Sequence, residues 1–246
     1  MTKQCWICGG TADSREHIVK STDIKLVLGA EPDRIFLNDE KHRNRRVQSR
    51  RSNYFKYKTS LCFKCNSTLS QPYDRAWERL SEHLFGLPRL SAGTLVDLSK
   101  PFKGRVKTEA TNIHLFFVKL FGCFLAQEDP EFDLSSFAEA LRTRSSHPNI
   151  FLEFGVLPKS NEPANASRSH LIAVQTDNVV HYMFWAYHLH RFTVGISYLL
   201  EPTRHPASMK WHPTTSGKLI KITGLRPNNS FKPTPLRSSS RVPTLR

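Results

Sequence analysis

The sequence predicts a mixed α+β fold, in which a small cysteine-bearing N-terminal unit precedes an α+β region with two helices and an antiparallel sheet. Four of the five cysteines lie within the first 65 residues, two later segments repeat apolar residues at helical spacing, and several segments after residue 148 have the composition of strands. We therefore expect a division into residues 1–85, residues 86–225 and a tail over residues 226–246. The tail is rich in Pro, Ser, Thr and Arg, which predicts a basic disordered segment.

The charge of the chain favours a polyanionic partner. Its 246 residues carry 36 Lys+Arg against 21 Asp+Glu, a formal net charge of +15. Binding to nucleic acid releases condensed counterions, so this excess is typical of nucleic-acid-binding proteins, although a solvated basic surface or tail is the alternative. No stretch approaches about 20 consecutive apolar residues and the N-terminus lacks an apolar signal core, so we expect no membrane contact and a cytoplasmic location.

Two pairs of cysteines predict a zinc site. Cys5 and Cys8 form one CxxC pair, and Cys62 and Cys65 form a second pair after 53 intervening residues. Two such pairs complete the tetrahedral shell of four thiolates that structural Zn²⁺ prefers, and Gly9-Gly10 permits the tight turn that a knuckle requires. Chance cysteines or a redox pair are the alternatives. With four protein ligands the site is closed, which predicts a structural role.

A dense basic segment separates the two cysteine pairs. Residues 41–58 contain eight Lys/Arg and no acidic residue, which predicts an exposed loop or ribbon that contacts phosphates. Tyr54, Phe55 and Tyr57 interleave with these charges and are either base-stacking residues or, for Phe55 and Tyr57, strand residues that pack a small core. The expected phosphate ligands in this segment are Arg43, Arg45, Arg46, Arg50 and Arg51.

Apolar spacing predicts the remaining elements. Apolar stripes predict helices over residues 66–85, 111–126 and 133–144, and Cys123 is expected to be a core residue of the second of these. Thr176-Asp177-Asn178 predicts a hairpin turn. The predicted strands cover residues 150–157, 170–175, 179–187, 192–200 and 219–223.

One ordered set of motifs connects the two cysteine pairs. Cys5-Trp6-Ile7-Cys8 is followed by Glu16-His17-Ile18, and then by Cys62-Phe63-Lys64-Cys65-Asn66. In this order the chain resembles the large zinc-stapled branch of the HNH endonuclease family, whose pattern is CxxC, an acidic residue with His and Ile, and CxxC followed by His or Asn. The resemblance covers roughly residues 1–80, about a third of the chain.

The resemblance implies a ββα-metal fold and a phosphodiester hydrolase. It assigns His17 as the general base, and Glu16 and Asn66 as ligands of one divalent cation, Mg²⁺ or Mn²⁺. An imidazole with an ordinary pKa of about 6.5 can accept a proton near neutral pH. Double-stranded DNA is the expected partner. Arg15, Lys20 and Lys64 are expected to contact the scissile or flanking phosphates.

The sequence departs from this family pattern at three points. Many members have an Asn a few residues before the second CxxC, whereas residues 57–61 contain none, and many have Pro at the position of Lys20. The acidic residue is Glu rather than Asp. A non-catalytic zinc module that binds nucleic acid, with Glu16-His17 as an ordinary surface pair, is therefore a second hypothesis. A third is a transcriptional or toxin-type protein that acts on a protein partner, and the role of residues 86–225 stays open, target recognition being one interpretation.

Overall fold

The computed structural model describes residues 3–29, 35–37, 43–157, 164–177, 179–202 and 210–224. It confirms a mixed α+β fold, and the predicted tail over residues 226–246 lies outside the described residues. The helices are α1 (Ser21–Leu28), α2 (Gln71–Phe85), α3 (Val106–Glu128) and α4 (Ser135–Thr143). The strands are β1 (Ile35–Leu37), β2 (Arg45–Val47), β3 (Leu95–Asp97), β4 (Ile150–Val156), β5 (Ala166–Arg168), β6 (Ile172–Thr176), β7 (Val179–Leu189), β8 (Phe192–Leu199) and β9 (Leu219–Gly224).

The N-terminal unit consists of two antiparallel segments followed by a helix. Ser14 pairs with Leu61 and His17 pairs with Lys56, so the two segments run side by side. The second segment leads directly into a π-helical turn at Lys64–Leu69, which continues into α2. Pro72 stands in the first turn of α2, where its missing N–H costs no helical hydrogen bond.

The basic segment contributes one strand, β2, to a short two-stranded ribbon. β1 and β2 pair in antiparallel register, with Phe36 opposite Arg46 and Leu37 opposite Arg45. Ile35 and Val47, which also face each other, are buried, whereas Phe36 is 48% exposed. The ribbon therefore has one face on the protein and one face in solvent, because side chains alternate along a strand.

The main sheet has seven strands in the order β3-β9-β4-β8-β7-β5, with β6 also paired to β7. The predicted hairpin is confirmed, since β6 and β7 are antiparallel neighbours. One expectation was wrong: the sheet is not purely antiparallel, because β9 runs parallel to β4. β9 lies on the opposite side of β4 from β8, and a pattern of apolar residues carries no information about the direction of a non-neighbouring partner.

Helix α3 lies at the centre of the hydrophobic core. Trp77 of α2 is fully buried and its ring packs on Phe116, Phe117, Tyr187 and Phe192, so α2, α3 and the sheet share one core. Buried residues from both sides of the predicted boundary at residue 85 contribute to this core. Among the described residues α3 alone is long and apolar enough to cross a membrane, but 83% of its most apolar window is buried inside the protein.

Two expectations about single side chains are confirmed by burial. Cys123 is fully buried on α3 and is a core residue. Tyr57 is 1% exposed and Phe55 packs against the core, so these two aromatic residues are packing residues, whereas Tyr54 is 43% exposed. Tyr54 lies in the 3-10 turn Asn53–Phe55, whereas Tyr57 lies on the second paired segment, which explains why these aromatic residues have such different environments.

Candidate functional site

The four predicted zinc ligands form one cluster. The Sγ atoms of Cys5, Cys8, Cys62 and Cys65 all lie within 4.8 Å of one another, and those of Cys8 and Cys62 are 3.6 Å apart. Among the described residues this is the one group of three or more Cys, His, Asp or Glu side chains close enough to share an ion. Cys5 and Cys65 are buried and Cys8 is exposed, so the cluster lies at the edge of the N-terminal unit.

Local backbone geometry holds each cysteine pair in a turn. Gly9 has φ of 74°, a conformation that other residues rarely adopt, and its N–H donates to the Cys5 carbonyl oxygen over 2.8 Å. In the second pair the Cys65 N–H donates to the Cys62 Sγ over 3.4 Å. A donated N–H from Gly10 lowers the pKa of Cys8, while burial raises the pKa of Cys5.

The donor set fits Zn²⁺. Four sulfur atoms at mutual distances below 4.8 Å suit a tetrahedral thiolate site, in which about 2.3 Å separates the metal from each sulfur. Burial disfavours charged thiolates, and neighbouring thiolates repel one another. A cation at their centre offsets both effects. The structure therefore supports a metal-binding cysteine cluster that is compatible with structural zinc.

Glu16 lies on the first paired segment and faces the core. Its side chain is nearly buried, with 9% of the residue exposed. One carboxylate oxygen accepts the backbone N–H of His17 over 2.7 Å, and the other forms an ion pair with Lys119 of α3 over 2.5 Å. The predicted cation ligand therefore already has a positive partner, which the protein itself supplies.

Lys119 is the centre of a buried ion network that the sequence analysis missed. Its ammonium also pairs with Asp74 over 2.9 Å and donates to the Ser70 hydroxyl over 3.2 Å. Burial alone would lower the pKa of Lys119, but the carboxylates of Glu16 and Asp74 raise it above its ordinary value. The sequence signal that could have revealed this network is a lysine within an apolar helical stripe, between Val118 and Leu120, because such a lysine is buried only when it is paired.

His17 lies next to Glu16 on the first paired segment. His17 pairs with Lys56 across the two segments, and its Nε2 atom is buried without a hydrogen-bond partner among the described residues. Burial lowers the pKa of His17, the Glu16 carboxylate opposes that shift, and nearby lysines including Lys56 reinforce it. The imidazole is therefore neutral near pH 7, which is the state that accepts a proton.

Asn66 follows the fourth cysteine and reaches the same segment. Its Nδ2 atom donates to the Ser14 hydroxyl over 2.9 Å and to the Arg15 carbonyl oxygen over 3.2 Å. Its Oδ1 atom is buried and has no hydrogen-bond partner among the described residues. A buried amide oxygen without a donor is costly, so this atom is a candidate ligand for a cation or a water.

The side chains predicted to contact phosphates differ in their exposure and in whether acidic groups already bind them. Lys20 pairs with Asp74 over 3.4 Å and with Glu78 over 3.3 Å, and 17% of its side chain is exposed, so acidic groups already hold it. Arg15 is exposed and its Nε donates to the Thr59 hydroxyl over 3.2 Å. Lys64 is exposed, beside Phe63, which is 68% exposed on the second knuckle.

The arginines of the basic segment lie at the surface of the ribbon and the turn after it. Arg50 is half-buried, and its four neighbours in the predicted set are exposed. The Arg45 guanidinium stacks on the Tyr54 ring, 4.2 Å from its centroid. The exposed members are Arg43, Arg45, Arg46 and Arg51.

Comparison with known proteins gives no match to a family model, to a curated protein or to a solved structure.

Proposed function

We propose that this chain is a metal-dependent endonuclease of the HNH type, which hydrolyses phosphodiester bonds in nucleic acid, with DNA as the expected substrate. One observation carries the proposal. His17 lies on a segment that pairs with the chain leading into the helix that bears Asn66, and each of these two side chains keeps a buried polar atom without a partner. That order of two paired segments and a helix is the arrangement the family resemblance implies.

The residues support a division of roles in hydrolysis. A water oxygen forms a bond to phosphorus, the bond to the leaving oxygen breaks, and the proton of the water passes to the neutral ring of His17. Exposed Arg15 and Lys64 lie on the same unit and would hold the flanking phosphates. Bound at Glu16 and Asn66, Mg²⁺ or Mn²⁺ would supply the positive charge that offsets the charge developing on the phosphate.

The donor set fits a divalent cation only in part. Asn66 has an unpartnered amide oxygen, and a carboxylate has about four acceptor positions, of which the described partners of Glu16 take two. Lys119 nevertheless places a fixed positive charge on the same carboxylate, and like charges repel. We therefore expect weak cation binding, saturating only at high Mg²⁺ or Mn²⁺ concentration.

The ion pair between Glu16 and Lys119 favours a second candidate function, a non-catalytic zinc module that binds nucleic acid. In that case Lys119 replaces the cation, and Glu16 is a structural residue. The cysteine cluster and the basic segment keep their roles, since neither depends on Glu16. Only cleavage distinguishes the two functions.

The test is a cleavage assay on plasmid DNA and on single-stranded oligonucleotides, with zinc-loaded protein and a titration of Mg²⁺ or Mn²⁺. We expect nicking by the native protein, and we expect His17→Ala to abolish it. The control is His170→Ala, which replaces an exposed histidine outside residues 1–85 and should leave nicking unchanged. DNA that is shifted on a gel but uncut at every cation concentration would overturn the nuclease proposal in favour of the zinc module.

A further inference from the structure

We propose that Lys119 is a positioning residue for the proposed hydrolysis. Its ammonium group reaches His17 through the carboxylate of Glu16. The same group reaches Asn66 through the hydroxyl of Ser70. The inference rests on the proposed function, because it concerns the same site, and it identifies what fixes the geometry of that site. Lys119 is 0% exposed, so it contacts no substrate and acts only through other residues.

The Lys119 ammonium has three N–H donors, and three acceptors surround it. A carboxylate oxygen of Glu16 lies 2.5 Å from Nζ, one of Asp74 lies 2.9 Å away, and the Ser70 hydroxyl lies 3.2 Å away. Glu16 belongs to the first paired segment, whereas Ser70 and Asp74 belong to the start of α2. Because such a fully satisfied buried network is rigid, one side chain of α3 holds two other elements in a fixed relation.

The link to His17 passes through the carboxylate of Glu16. Lys119 binds one oxygen of this carboxylate, and the other oxygen accepts the backbone N–H of His17 over 2.7 Å. A carboxylate is planar, so the position of the first oxygen restricts where the second can lie. The rotamers that His17 can adopt depend on its backbone. The ammonium therefore restricts the direction of the imidazole without contacting it.

The link to Asn66 passes through the hydroxyl of Ser70. This hydroxyl donates its single hydrogen to the Asn66 carbonyl oxygen over 2.8 Å, and its oxygen accepts from Lys119. Asn66 lies in the π-helical turn Lys64–Leu69, and π-helical turns are frequent at functional sites. The contact with Ser70 therefore helps to fix the backbone from which the Asn66 side chain projects.

The two links belong to one closed set of contacts. The Asn66 Nδ2 atom donates to the Ser14 hydroxyl and to the Arg15 carbonyl oxygen, and these two residues directly precede Glu16. Asn66 is therefore connected to Lys119 both through α2 and through the first paired segment. We expect the contacts to act as a unit, so that loss of one loosens the others.

The variant that tests the second link is Ser70→Ala, which removes the hydroxyl and keeps the ion pairs of Lys119. Its matched control is Ser81→Ala, because Ser81 is a buried serine of the same helix. The Ser81 hydroxyl donates to the Asp23 carboxylate over 3.2 Å and to the Glu78 carbonyl oxygen over 3.1 Å. Both variants therefore lose buried hydrogen bonds, but only Ser70→Ala breaks the link between Lys119 and Asn66.

The first readout is cleavage kinetics at saturating Mn²⁺. We expect Ser70→Ala to lower kcat between about 10-fold and about 100-fold and to leave KM for DNA within about 2-fold, because misplacement of a catalytic group slows the chemical step without weakening binding. Ser81→Ala should leave both constants within about 2-fold of the native values. Denaturant unfolding of the two variants shows whether their stabilities are comparable.

The second readout is NMR, which does not depend on activity. In Ser70→Ala the side-chain amide hydrogens of Asn66 should exchange with water at least about 5-fold faster than in the native protein, and Ser81→Ala should leave their exchange unchanged.

Lys119→Met tests the first link in the same NMR experiment. Exchange of the His17 backbone amide should become at least about 5-fold faster relative to that of the Tyr57 amide. The Tyr57 N–H is the internal reference, because it donates to the backbone carbonyl oxygen of Glu16 over 2.9 Å and does not use the carboxylate.

The outcomes separate this inference from the proposed function. Native kcat and native amide exchange in Ser70→Ala would overturn the inference and leave the nuclease standing, and so would equal losses of kcat in Ser70→Ala and Ser81→Ala. Absence of cleavage by the native protein would overturn the proposed function. Faster exchange at His17 and Asn66 in the variants would then still support the role of Lys119 in holding them, and unchanged exchange would overturn both.

Discussion

The cysteine cluster and the Lys119 network lie in the same N-terminal part of the fold, but their charges are balanced in opposite ways. Four thiols lie within 4.8 Å of one another and contact no positive side chain among the described residues, so a metal ion is the cation that would balance four thiolates. Glu16 and Asp74 instead receive the ammonium of Lys119 from α3. The cysteine cluster can hold an external ion, whereas the Lys119 network is complete within the chain.

The two clusters stabilise different parts of the fold. The cysteine cluster joins the two ends of the chain segment between residues 5 and 65. The Lys119 network attaches the same unit to the core helix, which stays folded through aromatic packing whether or not a metal is bound. The comparison predicts that metal loss and loss of Lys119 damage different parts of the molecule.

The largest expected effect comes from removing zinc. Structural zinc sites contribute about 10–16 kcal/mol of binding energy at pH 7, and that energy is folding energy. We expect a chelator, or Cys65→Ser, to abolish hydrogen-exchange protection over residues 3–20 and 55–66 while amides of α3 keep theirs. Hydrogen-exchange mass spectrometry with and without chelator measures this loss of protection.

Cys123→Ser is the matched control for this experiment, because Cys123 is a buried thiol outside the cluster. It should retain the metal content of the native protein by elemental analysis, and Cys65→Ser should lose it. Equal zinc content in the two variants would contradict the assignment of the four thiols as ligands.

The second effect is the loss of the internal cation. Lys119→Met leaves the Glu16 carboxylate without its partner and leaves Asp74 paired with Lys20 alone, and breaking a buried pair in this way costs about 3–5 kcal/mol. We expect the lower end of that range, since 20% of the Asp74 side chain is exposed. Denaturant unfolding measures the change in the free energy of unfolding.

Lys107→Met, on the exposed first turn of the same helix, is the control and should change stability by less than about 0.5 kcal/mol. Glu16→Gln combined with Lys119→Met should be less destabilising than the sum of the two single variants, because the pair is then removed together. Full additivity would mean that Glu16 and Lys119 do not interact.

The third effect is acid sensitivity where α3 contacts β4, a region that contains no metal cluster among its described residues. Burial lowers the pKa of His114 to about 3 and that of His147 to about 4. In the unfolded chain these histidines have the ordinary pKa of about 6.5, so below that pH the unfolded chain binds protons that the folded chain does not. The free energy of unfolding therefore falls as pH falls from about 6.5 towards about 3. At pH 5 each histidine should cost about 2 kcal/mol relative to pH 7.

Urea unfolding at pH 7 and pH 5 measures this loss. His114→Gln should reduce the difference between the two pH values, and His170→Gln, at an exposed position, should leave it as it is. An identical pH dependence in native protein and His114→Gln would show that His114 is charged in the folded state.

The smallest effect concerns the contact between the first cysteine pair and α3. A Cβ atom at Gly122 would lie 2.6 Å from Cη2 of Trp6, so Gly122→Ala forces the indole to move. We expect that cost to outweigh the gain of about 1 kcal/mol that Ala offers over Gly inside a helix. In a Trp6→Ala background the clash is absent, and Gly122→Ala should then stabilise the protein. Thermal unfolding of the four proteins measures the change of sign, and the same sign in both backgrounds would contradict the contact.

Much of the local structure was predictable. The helices at α2, α3 and α4 and the strands β4, β6, β7, β8 and β9 follow from apolar spacing, because burial of one face imposes the period of the element. Helix α1 was missed: its eight residues, Ser21–Leu28, are too few to give a clear period. Strands β3 and β5 were missed because three residues give no alternation.

The sequence by itself determined the cysteine cluster, since ligand spacing within a CxxC turn is local and the four thiols of two such turns suit one metal. The family resemblance also predicted Glu16, His17 and Asn66 as a set, but not where their side chains lie. Only the tertiary structure decided that Lys119, a hundred residues further along the chain, pairs with Glu16. The physical reason is that a buried carboxylate requires a counter-charge, whereas the identity of that counter-charge depends on which helix packs beside it.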